Sequence, residues 1–239
     1  MQGKECYDLL SGKKEKNRSS CELCGGTGWV WGQEGYTPCQ CVKEKKMHQL
    51  WEKSGLRVED NEKTFSNFEE WNDNAKQLKN KAIDYYKQFN AIKDNRVNSI
   101  VLGGQVGSGK THLILALANN FIQKRKINVI YLNYRDIIAK LKRNALDDNF
   151  ISKELEKYQK AEILLIDDLF KGKVTDADVN FIFEIVNYRY NNYLPMMITT
   201  EYDVNGLCDI DEAVGSRLFE ISKGFNHFSK GRHLNYRMK

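Results

Sequence analysis

Long apolar segments are missing from this sequence. No stretch approaches the roughly 18–20 consecutive apolar residues that a membrane-spanning helix needs. The segment 1–20 is polar, shows no periodicity and lacks the apolar core of a signal peptide, so we expect it to be a mobile lead-in. These absences predict a soluble, cytoplasmic protein with no membrane partner.

Acidic residues are missing after Glu220, whereas five cations follow it: Lys223, Lys230, Arg232, Arg237 and Lys239. This basic end is either a solvated chain end or a contact for nucleic-acid phosphates. The formal net charge of +5 is modest for 239 residues, so composition permits nucleic-acid binding without requiring it. A hydrophobic content of 41% excludes a disordered chain, and the length suits one α/β domain plus a small accessory one.

A glycine-rich segment joins an apolar run, Ile100–Leu102, to a helical apolar pattern that begins after Thr111. Its residues match the phosphate-binding P-loop without a gap: Gly104, Gln105, Val106, Gly107, Ser108, Gly109, Lys110 and Thr111. Such a loop points backbone N–H groups and a helix N-terminus at phosphate oxygens. We therefore expect ATP here, with Lys110 at the β- and γ-phosphates and the Thr111 hydroxyl on Mg²⁺. An ordinary glycine-rich turn is the disfavoured alternative.

A second apolar run, Ile163–Ile166, ends in Asp167 and Asp168. Carboxylates at the end of a strand opposite a P-loop suit a magnesium–water site, so we expect Asp167 to hold Mg²⁺. Asp168 stands where ATPases of this type usually have a water-activating Glu, and its shorter side chain predicts slow hydrolysis. Either residue could instead merely cap the strand, but their occurrence together with Lys110 disfavours that interpretation.

Strand and helix patterns alternate from residue 98 onward, which predicts an α/β fold with a parallel sheet. Ligands bind at the carboxyl ends of such strands, so Thr199, Thr200 and Glu201 should lie near the γ-phosphate. Arg217 lies on an otherwise apolar helical turn and is either a surface charge or a group offered to a neighbouring subunit's nucleotide. We expect the segment 171–173 to be a solvated loop.

Four of the six cysteines, Cys21, Cys24, Cys39 and Cys41, fall within 21 positions. A C-x2-C turn and a close second pair across a hairpin can form a sulfur cage, for which Zn²⁺ is the expected ion. Free thiols or a redox pair remain alternatives. We expect an N-terminal module, residues 1–60, followed by an ATPase domain, residues 61–239. Aromatic residues at helical spacing between Trp71 and Phe89 indicate core packing more than base stacking.

The sequence resembles the DnaC/DnaI/IstB branch of the AAA+ ATPases, particularly loader proteins encoded by phages of Gram-positive hosts. Four segments carry the resemblance: Lys110-Thr111-His112-Leu113, the acidic strand 163–168, residues 187–190, and residues 211–218. It implies a P-loop AAA+ domain preceded by a zinc module like that of DnaI-type loaders. It also implies a weak ATPase, stimulated by partner or DNA, that binds a DnaB-type replicative helicase and single-stranded DNA in replication initiation, in the host cytoplasm if phage-encoded.

The same resemblance assigns further residues. His112 joins the nucleotide-binding loop, Thr199-Thr200-Glu201 matches the sensor 1 region with Thr200 at the nucleotide, and Arg237, or else Arg232, corresponds to sensor 2. Arg217 matches the arginine finger, which would act between self-associated copies, because the site offers no obvious internal arginine.

Other interpretations remain open at this stage. Arg189 is the reserve candidate for the finger, and Arg217 could instead form a local ion pair with Asp211, Glu212 or Glu220. An IstB-like transposition ATPase is the nearest functional alternative. A P-loop small-molecule kinase, which would need a lid with phosphate-clamping arginines, and a nucleic-acid adaptor are more distant ones.

Overall fold

The computed structural model describes residues 21–32 and 35–239. The predicted lead-in, residues 1–20, lies outside the described residues. No helix within the described ranges has the length and apolar composition needed to cross a membrane.

The N-terminal elements form a small hairpin and a helix. Strands β1 (Trp29–Gly32) and β2 (Gly35–Pro38) pair antiparallel, with Trp31 opposite Tyr36. Helix α1 (Gln40–Ser54) follows directly and is capped at its C-terminus by Gly55. Trp51 of α1 and Leu56 are buried in the same core as the P-loop helix. The hairpin is therefore joined to the main body through α1, and the division at residue 60 stays a prediction.

The main body is built on a parallel five-stranded sheet. Its strands are β3 (Ile100–Gly104), β4 (Val129–Asn133), β5 (Ile163–Leu169), β6 (Met196–Thr200) and β7 (Asn226–Ser229), in the spatial order β4-β5-β6-β3-β7. Every strand of this sheet runs in the same direction, so the carboxyl ends meet at one edge. Because β6 lies between β3 and β5, the loop after β3 and the acids of β5 face each other across the end of β6.

Helices cover both faces of this sheet, as an all-parallel sheet requires. They are α2 (Asp73–Ile92), α3 (Lys110–Asn120), α4 (Tyr134–Arg143), α5 (Asp148–Gln159), α6 (Asp176–Asn191), α7 (Val204–Ile210) and α8 (Glu212–Ile221). The predicted α/β fold with a parallel sheet is confirmed. Two buried clusters, one on each face, contain the apolar side chains of the strands and the helices packed on them.

Helix α2 illustrates how the sequence specifies one of these layers. Asn72 caps its N-terminus by accepting a hydrogen bond from the Ala75 N–H (2.7 Å). Its apolar residues recur at helical spacing, and Phe121 packs edge-on against Tyr85 and at a tilt against Phe89. These two aromatic residues are in the core, as the spacing indicated, and are not available for base stacking.

Strand β5 departs from the prediction at its acidic end. The strand does not stop at Asp168 but continues to Leu169, which pairs with Thr200 across a shift in register. The irregularity leaves Asp168 with a φ of +57°. A bulge of this kind redirects side chains near the end of a strand. It separates the environments of Asp167 and Asp168.

Candidate nucleotide site and cysteine cluster

The loop between β3 and α3 has the backbone curvature of a phosphate-binding loop. Gly104 (φ +89°) and Gly107 (φ +74°) adopt left-handed conformations that favour glycine. A Cβ on Gly104 would overlap the Ser229 carbonyl oxygen of β7, and a Cβ on Gly107 would overlap the Asn235 side chain. The loop is therefore pressed against the C-terminal segment, and glycine is required for this close approach.

Lys110 lies inside this loop and is only 6% exposed. Its ammonium donates to the carbonyl oxygens of Gly104 (2.7 Å) and Gln105 (2.7 Å). Burial lowers the pKa of Lys110 to about 8, although Glu201 and Asp168 act in the opposite direction. The Lys110 ammonium therefore has carbonyl partners and no carboxylate within hydrogen-bonding distance. An anion bound in the loop would contact it directly.

Asp167 and Thr111 form a buried oxygen cluster beside Lys110. The Thr111 hydroxyl donates to Asp167 Oδ1 (3.0 Å), as does the Thr199 hydroxyl (2.5 Å), and the Tyr131 hydroxyl donates to Oδ2 (3.2 Å). Burial raises the pKa of Asp167 in spite of the Thr199 hydrogen bond, and neighbouring Asp168 adds to the rise. Hydroxyl and carboxylate oxygens are the ligands that Mg²⁺ prefers, and a buried carboxylate without a cation partner fits such an ion.

Asp168 faces a different partner, Lys171. The Lys171 ammonium contacts Asp168 Oδ2 (3.0 Å) and Glu201 Oε1 (2.8 Å). Partial burial opposes the charge of this ammonium, but the hydrogen bonds to Glu201 and Asp168 outweigh it and raise the pKa of Lys171. The prediction of a solvated loop at residues 171–173 is therefore wrong for Lys171, because the bulge in β5 turns its side chain toward the cavity.

A cavity of about 470 Å³ lies at the carboxyl edge of the sheet and is lined by Lys110, Thr111, Asp168, Lys171 and Glu201. Asp167 is not a lining residue and contacts the cavity wall through Thr111. The lining includes ten residues that the sequence placed at the site, namely Val106, Gly107, Ser108, Gly109, Lys110, Thr111, His112, Asp168, Glu201 and Arg237. It also includes seven others, namely Lys63, Asn67, Phe68, Glu69, Trp71, Lys171 and Tyr236. Gly104 and Gln105 contribute through the carbonyls that hold Lys110.

Thr200, predicted to contact nucleotide, lies elsewhere. It is fully buried, and its hydroxyl donates to the Leu169 carbonyl (3.0 Å) and accepts from the Tyr202 N–H (3.2 Å). Thr199 reaches the acidic cluster instead, since its hydroxyl accepts from the Asp168 N–H (2.8 Å) while donating to Asp167. Thr200 is thus a structural residue of the bulge, and the cavity is lined by its neighbour Glu201.

Two chain segments form the outer wall of the cavity. In the first, residues 63–71, the Phe68 ring packs against Gly109. The C-terminal segment meets it: the Tyr236 hydroxyl (2.6 Å) and the Lys239 ammonium (2.7 Å) both donate to Glu69. Arg237 lines the cavity between them, whereas Arg232 does not. No motif spacing marks Phe68, Glu69 or Tyr236, so sequence reasoning missed them.

The two arginine candidates occupy different environments. Arg217 is away from the cavity, and its guanidinium packs over the rings of Phe183 and Tyr190 and donates to the Ala213 carbonyl (2.8 Å). It makes no ion pair with the acidic residues of its own helix. Arg189 is fully buried and donates to four backbone carbonyls. The reserve interpretation of Arg189 as a finger is therefore wrong, because its side chain cannot reach another subunit.

The four N-terminal cysteines converge beside the hairpin. Their sulfur atoms all lie within 4.8 Å of one another, with Cys21 and Cys39 at 3.8 Å and Cys24 and Cys41 at 3.6 Å, and none forms a disulfide. A tetrahedral zinc–thiolate site with bonds of about 2.3 Å has sulfur atoms about 3.8 Å apart. The Gly28 backbone N–H lowers the pKa of Cys24 to about 6, which favours a thiolate there, whereas burial raises the pKa of its neighbour Cys41. The set fits a zinc ion.

Comparisons with known proteins agree with this geometry. A family model described as IstB-like ATP binding protein matches residues 43–211. The chain is 39% identical to the Bacillus subtilis (strain 168) protein YqaM over 209 residues, 84% of this chain and 66% of that one. It is 32% identical to the phage-like element PBSX protein XkdC of the same organism over 242 residues, 95% of this chain and 89% of the relative.

Solved structures show the same fold at lower identity. The DnaC helicase loader superimposes with a TM-score of 0.61 at 23% identity, covering 73% of this chain and all of that one. The replication initiator DnaA bound to AMPPCP and single-stranded DNA gives 0.59 at 20% identity, covering 74% of this chain and 51% of that one. The chain thus has a P-loop AAA+ fold and belongs to the IstB/DnaC-like family of ATP-binding proteins.

Proposed function

We propose that this protein is an ATP-dependent loader of a DnaB-type replicative helicase, acting on single-stranded DNA in replication initiation. The observation that best supports this role is that one chain combines a nucleotide cavity with a hairpin that has a cysteine cluster and an exposed aromatic surface. The fold shared with the DnaC helicase loader and the similarity to a phage-element protein support this role.

The ATPase chemistry is assigned to residues of the cavity. Lys110 binds the β- and γ-phosphates, and the loop from Gly104 to His112 holds the nucleotide through its backbone. Thr111 and Asp167 hold Mg²⁺, which when bound neutralises charge on the phosphate oxygens. Asp168 orients the attacking water. Because Asp168 is engaged by Lys171 and has a short side chain, we expect weak basal turnover.

Zn²⁺ bound by Cys21, Cys24, Cys39 and Cys41 has a structural role in this proposal. All-cysteine sites leave no open coordination position, so the ion stabilises the fold of the module and performs no catalysis. The module, residues 1–60, is the helicase-interacting part, and residues 61–239 are the ATPase part.

The helicase-binding surface is assigned to the hairpin. Trp29, Trp31 and Tyr36 lie on one face of the two strands, because Trp31 pairs with Tyr36 and Trp29 is two residues away. Trp31 is 75% exposed and Tyr36 is 72% exposed, with their rings 5.0 Å apart. We call these three residues the aromatic face. Several exposed aromatic side chains on one face are typical of a protein-binding surface.

Completion of the active site is assigned to a second copy of the chain. Arg217 is held by two rings outside its own cavity, with its Nε buried and without a hydrogen-bond partner. It is proposed to complete the ATPase site of a neighbouring copy when helicase or DNA aligns several chains. Arginine fingers supplied in this way raise turnover by about three to five orders of magnitude.

DNA binding is proposed to be electrostatic. The candidate contacts are exposed cations such as Lys124, Lys126 and Lys140, whereas Lys142 is paired with Asp178 and Arg125 packs on Tyr86. Neutralisation of phosphates makes binding weaken steeply as salt rises. Affinity that stays constant between low and moderate salt would contradict this part of the proposal.

The helicase interaction is tested by co-purification with the replicative helicase of the host. The variant Trp31→Ala/Tyr36→Ala should lose the helicase and keep ATP binding. Leu146→Ala is the matched control, because Leu146 is fully exposed but far from the hairpin in sequence. An IstB-like transposition ATPase, the alternative that the family match supports, would retain no helicase even as wild type.

A further inference from the structure

Lys171 is a second cation in the lining of the nucleotide cavity, besides Lys110. None of the sequence motifs assigns it a role. It follows β5 in a turn closed by a hydrogen bond from its N–H to the Asp168 carbonyl (3.0 Å). Asp168 (φ +57°) and Phe170 (φ +61°) both have left-handed backbone conformations, which cost energy in residues other than glycine. Fully buried Phe170 and the hydrogen bond from the Asp168 N–H to Thr199 hold this turn in place.

This strained turn directs the Lys171 ammonium between Asp168 and Glu201, at 3.0 Å and 2.8 Å. The side chain is 32% exposed and lines the same cavity as Lys110 and Thr111. Backbone strain that the surrounding structure maintains is a feature of functional sites. The turn therefore has a use beyond connecting β5 to α6.

The charges around Lys171 indicate what it binds. Lys110 and Lys171 are the cations of this end of the cavity, and Asp167, Asp168 and Glu201 are the anions, which leaves one net negative charge. Lys63, Glu69 and Arg237 belong to the outer wall. An ATP molecule brings further negative charge, so without Lys171 two uncompensated carboxylates would face its terminal phosphate.

We propose that Lys171 is a nucleotide-binding residue that pairs with the terminal phosphate of ATP and so makes the protein prefer ATP to ADP. Asp168 and Glu201 hold the ammonium at this position before nucleotide arrives, and a phosphate oxygen then replaces one carboxylate as its partner. The inference rests on the proposed ATP-binding role of the cavity. It gives the site a cation from the same chain, in addition to Arg217 from a neighbour.

The test compares ATP and ADP affinities of the full-length protein, measured with fluorescent nucleotide analogues in the presence of magnesium. Lys171→Met should weaken ATP binding by about tenfold, the effect of losing one charge near the phosphate in a half-buried site, and leave ADP binding unchanged. Lys171→Arg should keep most of the preference for ATP. Lys173→Met is the matched control, since Lys173 lies in the same loop but is exposed, and it should bind both nucleotides as wild type does.

A double variant separates lost charge from lost structure. Lys171→Met alone leaves two net negative charges at this end of the cavity, and the added Glu201→Gln change reduces them to one, as in wild type. The double variant should therefore bind ATP more tightly than Lys171→Met alone. Equal weakening of ATP and ADP, or no recovery in the double variant, would overturn the assignment. If no variant, including wild type, binds either nucleotide, the proposed ATPase function fails instead, and the two failures are thereby distinguished.

Discussion

Replacing Arg189 by methionine should destabilise the protein without altering its nucleotide chemistry. The guanidinium donates to the carbonyl oxygens of Tyr158 (2.9 Å), Gln159 (3.1 Å), Ala161 (2.8 Å) and Pro195 (2.7 Å). It thereby joins the end of α5 to the starts of β5 and β6. Methionine fills similar space but donates none of these four hydrogen bonds, and of the four carbonyls that of Pro195 still accepts from the Leu164 N–H (3.2 Å).

At about 1 kcal/mol for each of the four lost hydrogen bonds, the decrease in the free energy of unfolding is about 4 kcal/mol. For a chain of this length that corresponds to a decrease in Tm of about 8–16 °C. Urea unfolding followed by circular dichroism measures the first quantity, and calorimetry measures the second. Arg96→Met is the control, because Arg96 is partly exposed and donates to a single carbonyl, that of Tyr190, so about 1 kcal/mol is expected.

Unchanged stability together with lost partner-stimulated ATPase activity would refute this reasoning. That result would mean that Arg189 leaves its buried position and acts as the finger. The structure leads us to expect the reverse: a less stable protein whose ATP affinity at low temperature equals that of wild type.

Three further predictions concern the proposed functional groups. Lys110→Ala should abolish detectable ATP binding in calorimetry with magnesium, whereas Asp167→Ala should impair hydrolysis more than binding; tight binding by the lysine variant would contradict the site assignment. Cys39→Ser should lower the zinc content from one ion per chain, measured by mass spectrometry of the native protein, and change the near-ultraviolet circular dichroism of the hairpin tryptophans. Arg217→Ala should bind ATP normally but turn it over slowly by itself, and adding Lys110→Ala, which binds no ATP but keeps Arg217, should restore turnover at the Arg217→Ala sites; unchanged partner-stimulated turnover in Arg217→Ala alone would make the residue structural.

Local patterns predicted much of this fold, because most of its signals lie within single elements. The apolar run before Gly104 and the helical pattern after Thr111 were sufficient to locate β3, the loop and α3. The alternation of strands and helices then indicated a parallel sheet. The cysteine spacing predicted the sulfur cluster, since a turn and a hairpin bring the four residues together without help from the rest of the chain.

The remaining site features depend on contacts between strands. Which hydroxyl reaches Asp167, that of Thr199 or that of Thr200, is decided by the bulge in β5 and its register with β6. The same bulge turns Lys171 into the cavity, although its sequence context resembles a polar loop. Arg189 illustrates a third limit. An arginine in the last turn of an amphipathic helix reads as a surface charge, and only the packing of α5 and β6 around it shows that it is buried.

The helicase-loading activity itself can be measured directly. The replicative helicase is mixed with single-stranded circular DNA that carries an annealed oligonucleotide, and strand displacement is followed with and without this protein. We predict that wild type and ATP together accelerate displacement, that Trp31→Ala/Tyr36→Ala removes the acceleration, and that Leu146→Ala retains it. A helicase that unwinds at the same rate with or without wild-type protein and ATP would contradict the proposed function.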